Sequence, residues 1–105
     1  MDLKGNKMNN LLPIFIKLEC KPCLIVGGGK VAYHKILQLL ESKAYVTVIA
    51  PVIHESIKPL SVEVIKRKYN SNDIENYQLI IAATDNEQMN MKIYQDAKSK
   101  GKLIN

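Results

Sequence analysis

The residues of this chain best suited to chemistry are Gly27-Gly28-Gly29-Lys30-Val31-Ala32, which fit the pattern G-x-G-x-x-[GA]. Glycines at those positions let a backbone turn tightly and approach a pyrophosphate, and a small sixth residue lets a helix lie against a sheet. Gly27 suits the turn, Gly29 the close approach and Ala32 the packing. A helix starting there adds free N–H groups and a partial positive charge for an anion. The pattern carries weight only between a strand and a helix. A second element of such sites is missing. The following strand usually ends in an Asp or Glu for the ribose, about 20 residues after the glycines, whereas this chain reads Ile49-Ala50-Pro51-Val52. Glu55 is the nearest acid and no arginine stands nearby for a 2′-phosphate, so ribose contacts fall to the backbone of Pro51 and Val52 and the choice of dinucleotide is open.

Other reactive residue types give weaker signals. Cys20-Lys21-Pro22-Cys23 has the C-x-x-C form of a thiol redox motif, but such a pair is activated at a helix N-terminus. Here it precedes a strand into which Cys23 should point, so the two thiols are expected to be fortuitous neighbours. No second Cys or His pair completes a structural zinc site, and no metal is expected. His34 reads as a solvated helix residue. His54, after the Ala50-Pro51 turn, is a candidate for contact with substrate or adenosine. Lys66-Arg67-Lys68-Tyr69 has no aromatic interleaving, and reads as a solvated strand end rather than a nucleic-acid surface. Asp73 is expected to cap a helix, and Asp85 to combine capping with cofactor contact.

The elements that must hold these residues follow from periodicity. Residues 12–18 read as a short strand, placed at an edge by Pro13. Residues 23–26 form an unbroken apolar run, the pattern of a parallel strand buried on both faces. From 31 to 42 the period becomes helical, with Val31, Ile36, Leu39 and Leu40 on one face. Strands are expected at 45–50, 62–66 and 78–83, a short helix around 54–60 that Pro59 weakens, and turn or cap chemistry at 70–73. Met89, Ile93 and Ala97 mark a helix over 87–100, which Gly101 closes, and 103–104 begins a fifth strand. Strands alternating with helices imply a parallel sheet covered on both faces. The expected fold class is α/β, a Rossmann-type doubly wound sheet in one domain over 11–105, preceded by a flexible leader at 1–10. The loops after Val26, Ala50 and Ala83 all leave the carboxyl edge, where such sheets bind ligands.

At 105 residues, 47% hydrophobic and 24% charged, the chain has the composition of one soluble globular domain, not of a disordered chain. No apolar run approaches the roughly 18 residues of a membrane span and no secretory signal opens the sequence, so a cytoplasmic location without membrane or nucleic-acid partners is expected. Fifteen Lys and Arg against ten Asp and Glu give a net charge of +5, which favours an anionic ligand.

With these pieces together, the chain resembles the precorrin-2 dehydrogenases of siroheme synthesis, including the N-terminal module of siroheme synthases. The matching residues are Leu12-Pro13-Ile14-Phe15, the stretch from Cys23 through Ala32 with Lys35, Val46-Thr47-Val48-Ile49-Ala50-Pro51, and Leu79-Ile80-Ile81-Ala82-Ala83-Thr84-Asp85 with Asn90. The missing second-strand carboxylate is ordinary for that family. The resemblance implies NAD⁺-dependent oxidation of precorrin-2, a tetrapyrrole, to sirohydrochlorin, and in some members insertion of ferrous iron. It assigns the pyrophosphate to Gly27, Gly28, Gly29, Lys30 and Val31, the adenosine to Pro51 and Val52, and the nicotinamide side to Ala83, Thr84 and Asp85. It also places the catalytic aspartate beyond Asn105 and the dimerisation and helical regions further on. The expectation is therefore an NAD-binding domain truncated at its C-terminal end, inactive alone, and part of a homodimer when full-length. The competing expectation is a non-catalytic nucleotide-sensing module of the same fold, against which the absence of an acid after the second strand speaks.

Overall fold

A computed structural model describes residues 17–105. The leader at 1–10 and all but the last two residues of the strand expected at 12–18 lie outside the described residues. The described chain runs β1 (Pro22–Val26), α1 (Lys30–Glu41), β2 (Tyr45–Ile49), β3 (Glu63–Ile65), β4 (Leu79–Ala82), α2 (Glu87–Ser99) and β5 (Leu103–Ile104). The five strands form one sheet in the order β3-β2-β1-β4-β5, and every pairing is parallel. The chain winds outward from β1 through β2 to β3, then returns across β1 to β4 and β5. The point of reversal is therefore the boundary between β1 and β4.

Alternation within the strands divides the core in two. Cys23 and Ile25 of β1, Val46 and Val48 of β2, and Ile81 of β4 pack with Ala32, Ile36 and Leu39 of α1 on one face. Leu24, Val26, Ile49 and Ile80 pack with Ile93 and Ala97 of α2 on the other. Apolar residues at consecutive positions of β1 are what a strand buried on both faces requires. Ala32 is fully buried, as a small residue must be where a helix axis comes close to a sheet. The expected helical face is otherwise corrected at one position. Val31 is 61% exposed, because α1 begins at Lys30 and its first turn overhangs the carboxyl edge of the sheet.

The connection before β3 is less helical than expected. In place of a helix over 54–60 stands a single 3₁₀ turn, Glu55–Ile57, since Pro59 has no N–H with which to continue helical bonding. Its Ile57 is fully buried on the α1 face. A second 3₁₀ turn, Ser71–Ile74, has a reciprocal cap: the Asn70 side chain accepts from Asn72 N–H, and the Asp73 carboxylate accepts from Asn70 N–H at 2.7 Å. Asp73 thus caps a helical turn, as its position suggests. Gly101, at φ +69, closes α2, and its N–H donates to Lys98 O.

Asp73 also holds Arg67 in a two-pronged ion pair of 2.7 and 2.8 Å. The Arg67 guanidinium keeps the Asp73 carboxyl below its usual range, with burial opposing and the Asn70 N–H assisting. A carboxyl depressed in the folded state contributes stability above its unfolded value of about 4, and that contribution disappears as pH falls through the lower folded value. Asp73→Ala is accordingly expected to cost about 1–2 kcal/mol at pH 7, with the gap to the parent chain narrower at a pH well below the unfolded value of about 4. Urea unfolding at both pH values measures it, and a gap that does not narrow in acid would exclude this role.

Candidate active site cleft

The three loops that leave the sheet at its reversal point enclose a cleft of about 770 Å³, within the roughly 300–1,000 Å³ typical of cofactor sites. All ten residues singled out for cofactor contact line it: Gly27, Gly28, Gly29, Lys30, Val31, Pro51, Val52, Ala83, Thr84 and Asp85. The structure brings them together from the ends of β1, β2 and β4.

The three glycines have different reasons to be glycine. Gly27 sits at φ +133, and a Cβ there would lie 2.2 Å from the carbonyl oxygen of Ala83. Its conformation and its closeness to the end of β4 both exclude a side chain. Gly28 lies against the loop after β2, where a Cβ would come within 2.1 Å of Val52 O. The same loop is tied back by His54 N–H donating to Gly28 O at 2.7 Å. Packing against 50–54 is a duty of Gly28 that the motif alone does not reveal. Gly29 differs: nothing lies within 4 Å of an added Cβ. It is the N-cap of α1, with no side-chain cap bond and no acidic residue in the first turn. Gly29, Lys30 and Val31 of this uncapped start line the cleft, the arrangement that favours an anion.

The loop after β4 is fixed by an amide clamp. Asn90 Oδ1 accepts from Thr84 N–H at 3.1 Å, and Asn90 Nδ2 donates to Thr84 O at 3.1 Å. The Thr84 hydroxyl lies 2.6 Å from Asn90 Oδ1 and accepts from Asn86 N–H at 3.2 Å. Both backbone polar groups of Thr84 are therefore satisfied by one side chain of α2. Asn86, not Asp85, caps that helix by accepting from Met89 N–H at 3.0 Å. The capping role expected of Asp85 is corrected, because Asn86 stands one residue nearer the first turn; Asp85 is left exposed on the cleft wall.

Eight lining residues fall outside the expected cofactor set: Val26, Ile49 and Ala50, which belong to the strand ends and the residue after β2, and His54, Lys68, Tyr69, Asn86 and Met89. His54 does reach the cleft, with its Nδ1 accepting from Ser56 N–H at 3.1 Å. Lys68 and Tyr69 were expected at a solvated strand end. Lys68 is exposed but lines the cleft. Tyr69 is buried and its hydroxyl donates to Asp96 Oδ2 at 2.7 Å. Burial first, and then the Asp96 carboxylate, push the Tyr69 phenol well above its ordinary range, so it stays protonated. The signal for these residues was β3 lying next to β2, which a strand pattern cannot supply. Cys20 is exposed and Cys23 buried, and burial raises the Cys23 thiol, the reverse of activation. Among the described residues no three His, Cys, Asp or Glu groups converge on a metal position, and no helix is long and apolar enough to cross a membrane.

A family model described as NAD(P)-binding matches residues 14–105. The siroheme synthase of Actinobacillus pleuropneumoniae serotype 3 is 40% identical over 100 residues, covering 91% of this chain and 21% of the relative. That of Photobacterium profundum is 40% identical over 98 residues, covering 90% and 21%. A solved structure of SirC, a precorrin-2 dehydrogenase, superposes with a TM-score of 0.77 at 25% identity, over 90% of this chain and 48% of that one. The chain thus spans about a fifth of the length of these siroheme synthases.

Proposed function

Because the chain belongs to the NAD(P)-binding family matched over residues 14–105, we propose that its cleft binds NAD⁺ and serves, within the full-length protein, the oxidation of precorrin-2 to sirohydrochlorin. The observation that carries the reading is the N-terminus of α1, which has no side-chain cap and opens onto Gly29 with free space around it. Siroheme synthases as sequence relatives and a precorrin-2 dehydrogenase as structural relative support the reaction.

In this reading Gly27, Gly28, Gly29, Lys30 and Val31 hold the pyrophosphate, Pro51 and Val52 the adenosine, and Ala83, Thr84 and Asp85 the nicotinamide side. When bound, the nicotinamide supplies the hydride acceptor. The chain's own residues bind and orient. The first turn of α1 neutralises the pyrophosphate, with Lys30 beside it. Gly27 allows the β1 and β4 loops to meet closely, bringing the phosphate cradle next to Thr84. The Asn90 clamp then holds the Thr84 backbone in one position, so the nicotinamide side rests on a rigid wall. Oxidation of precorrin-2 to sirohydrochlorin removes a hydride, which NAD⁺ would take up to become NADH, and a proton, which would pass to water; the cleft would contribute the electron acceptor's half of that exchange.

Titration calorimetry of the chain with NAD⁺ and NADP⁺ tests the reading. Saturable binding at one site per chain is expected, and no heat with either nucleotide refutes it. Asn90→Ala is expected to weaken NAD⁺ binding by about tenfold, since two backbone groups of Thr84 lose their partner. An unchanged affinity in that variant would show that the clamp plays no part in binding.

A further inference from the structure

Resting on the reading of the cleft as a dinucleotide site, a further inference concerns a residue outside it. Tyr69 follows β3 and lines the cleft, yet it is buried with Ile74, Ile93 and Ala97 in the core on the α2 side. A phenol hydroxyl in such surroundings needs a partner. Asp96 of α2 supplies it, accepting from the Tyr69 hydroxyl at 2.7 Å. A hydrogen bond to a carboxylate is stronger than one between neutral groups.

Asp96 is itself braced. Lys92, one turn earlier on α2, lies 3.7 Å from Asp96 Oδ2 and donates to Ser71 Oγ at 2.7 Å. Two side chains of α2 thus reach the segment from Tyr69 to Ser71. The Arg67–Asp73 pair and the Asn70 cap, by contrast, close that segment on itself. The loop after β4 is held by the same helix through Asn90, about 9 Å from Asp96 along the helix axis. In the sheet β3 and β4 are separated by β2 and β1, so no strand pairing joins the two loops directly. The helix does.

We propose that Asp96 is a positioning residue of the cleft. By holding the Tyr69 hydroxyl it fixes the wall supplied by the chain after β3, as Asn90 fixes the wall after β4, and one helix sets the separation of the two. Asp96 touches no cofactor in this reading and acts through Tyr69.

Titration of the chain and its variants with NAD⁺, AMP and nicotinamide mononucleotide, followed by amide chemical shifts, tests this. Asp96→Ala is expected to weaken NAD⁺ and AMP by about fivefold, a fraction of the worth of one charge-assisted hydrogen bond. Nicotinamide mononucleotide should bind that variant as it binds the parent, because the Asn90 clamp is intact; a general loosening of α2 would weaken it too. Asp96→Asn, whose amide oxygen still accepts from Tyr69, should bind NAD⁺ like the parent. Tyr69→Phe removes the same bond from its other end, so it should match Asp96→Ala, and the double variant should be no weaker than either. Tyr69→Phe and Asp96→Asn carry the test if Asp96→Ala does not fold. The inference is wrong if the bond can be removed with no loss of NAD⁺ affinity, if nicotinamide mononucleotide weakens equally, or if the two losses add. If NAD⁺ does not bind the parent chain, the dinucleotide reading itself fails, and this inference with it.

Discussion

An aspartate in place of Gly29 is expected to lower NAD⁺ affinity by about a hundredfold or more while leaving the chain as stable as before. The position is unusual in combining free space with a helix end: no atom lies within 4 Å of an added Cβ, and the backbone there is extended, at φ −98 and ψ −160. Any residue adopts that conformation, and aspartate is among the best N-caps. The new carboxylate would accept from the first-turn N–H groups and occupy the volume where a phosphate would sit. The loss is that of about two charge-assisted hydrogen bonds, at roughly 1.5–3 kcal/mol each, plus repulsion between like charges. Calorimetry gives the affinity and thermal unfolding the stability. Undiminished binding with intact fold would mean that the glycine turn is a structural corner and nothing more.

The opposite outcome is expected two residues earlier. Gly27→Ala should destabilise the chain by about 3–5 kcal/mol, a large share of the roughly 5–15 kcal/mol that holds a domain together. A methyl at φ +133 is strained in itself, and it would meet the Ala83 carbonyl at 2.2 Å. That carbonyl cannot retreat cheaply, because Ala83 N–H donates to Val26 O and thereby closes the β1–β4 ladder. Relief would come from parting the two central strands. Urea unfolding reads the change, with Gly29→Ala as the companion that should move little. If Gly27→Ala unfolds at the parent's urea concentration, the close approach at the sheet's reversal point is not what requires glycine.

That these two glycines behave so differently marks the limit of what the sequence discloses. The strand cores were legible because Cys23 to Val26 and Leu79 to Ala82 are apolar at every position, which a strand covered on both faces requires. The ten residues expected at the cofactor come from the family resemblance, and the structure gathers all of them around one cleft at the sheet edge that their loops leave. What escaped were contacts between elements distant in sequence. Nothing local says that Gly28 must make room for Val52, or that Asn90 reaches back to Thr84. Lys68 read as solvent-facing because a charge run at a strand end ordinarily is, and only the adjacency of β3 to β2 brings it to the cleft wall. Val31 and Asp85 were misread for a smaller reason. Each depends on where a helix begins, and a shift of one residue at a helix start exchanges buried for exposed and cap for bystander.

The uncapped start of α1 has a thermodynamic consequence. A helix that leaves its own first-turn donors to be met from outside has part of its stability set by the activity of whatever meets them. For a ligand bound only by the folded state, linkage adds about 2.7 kcal/mol when its free concentration is a hundred times Kd. The resistance of the chain to unfolding would then follow the supply of dinucleotide around it. An N-cap serine at position 29 would meet one of those donors from within the chain, and would loosen that dependence only as far as it weakened binding.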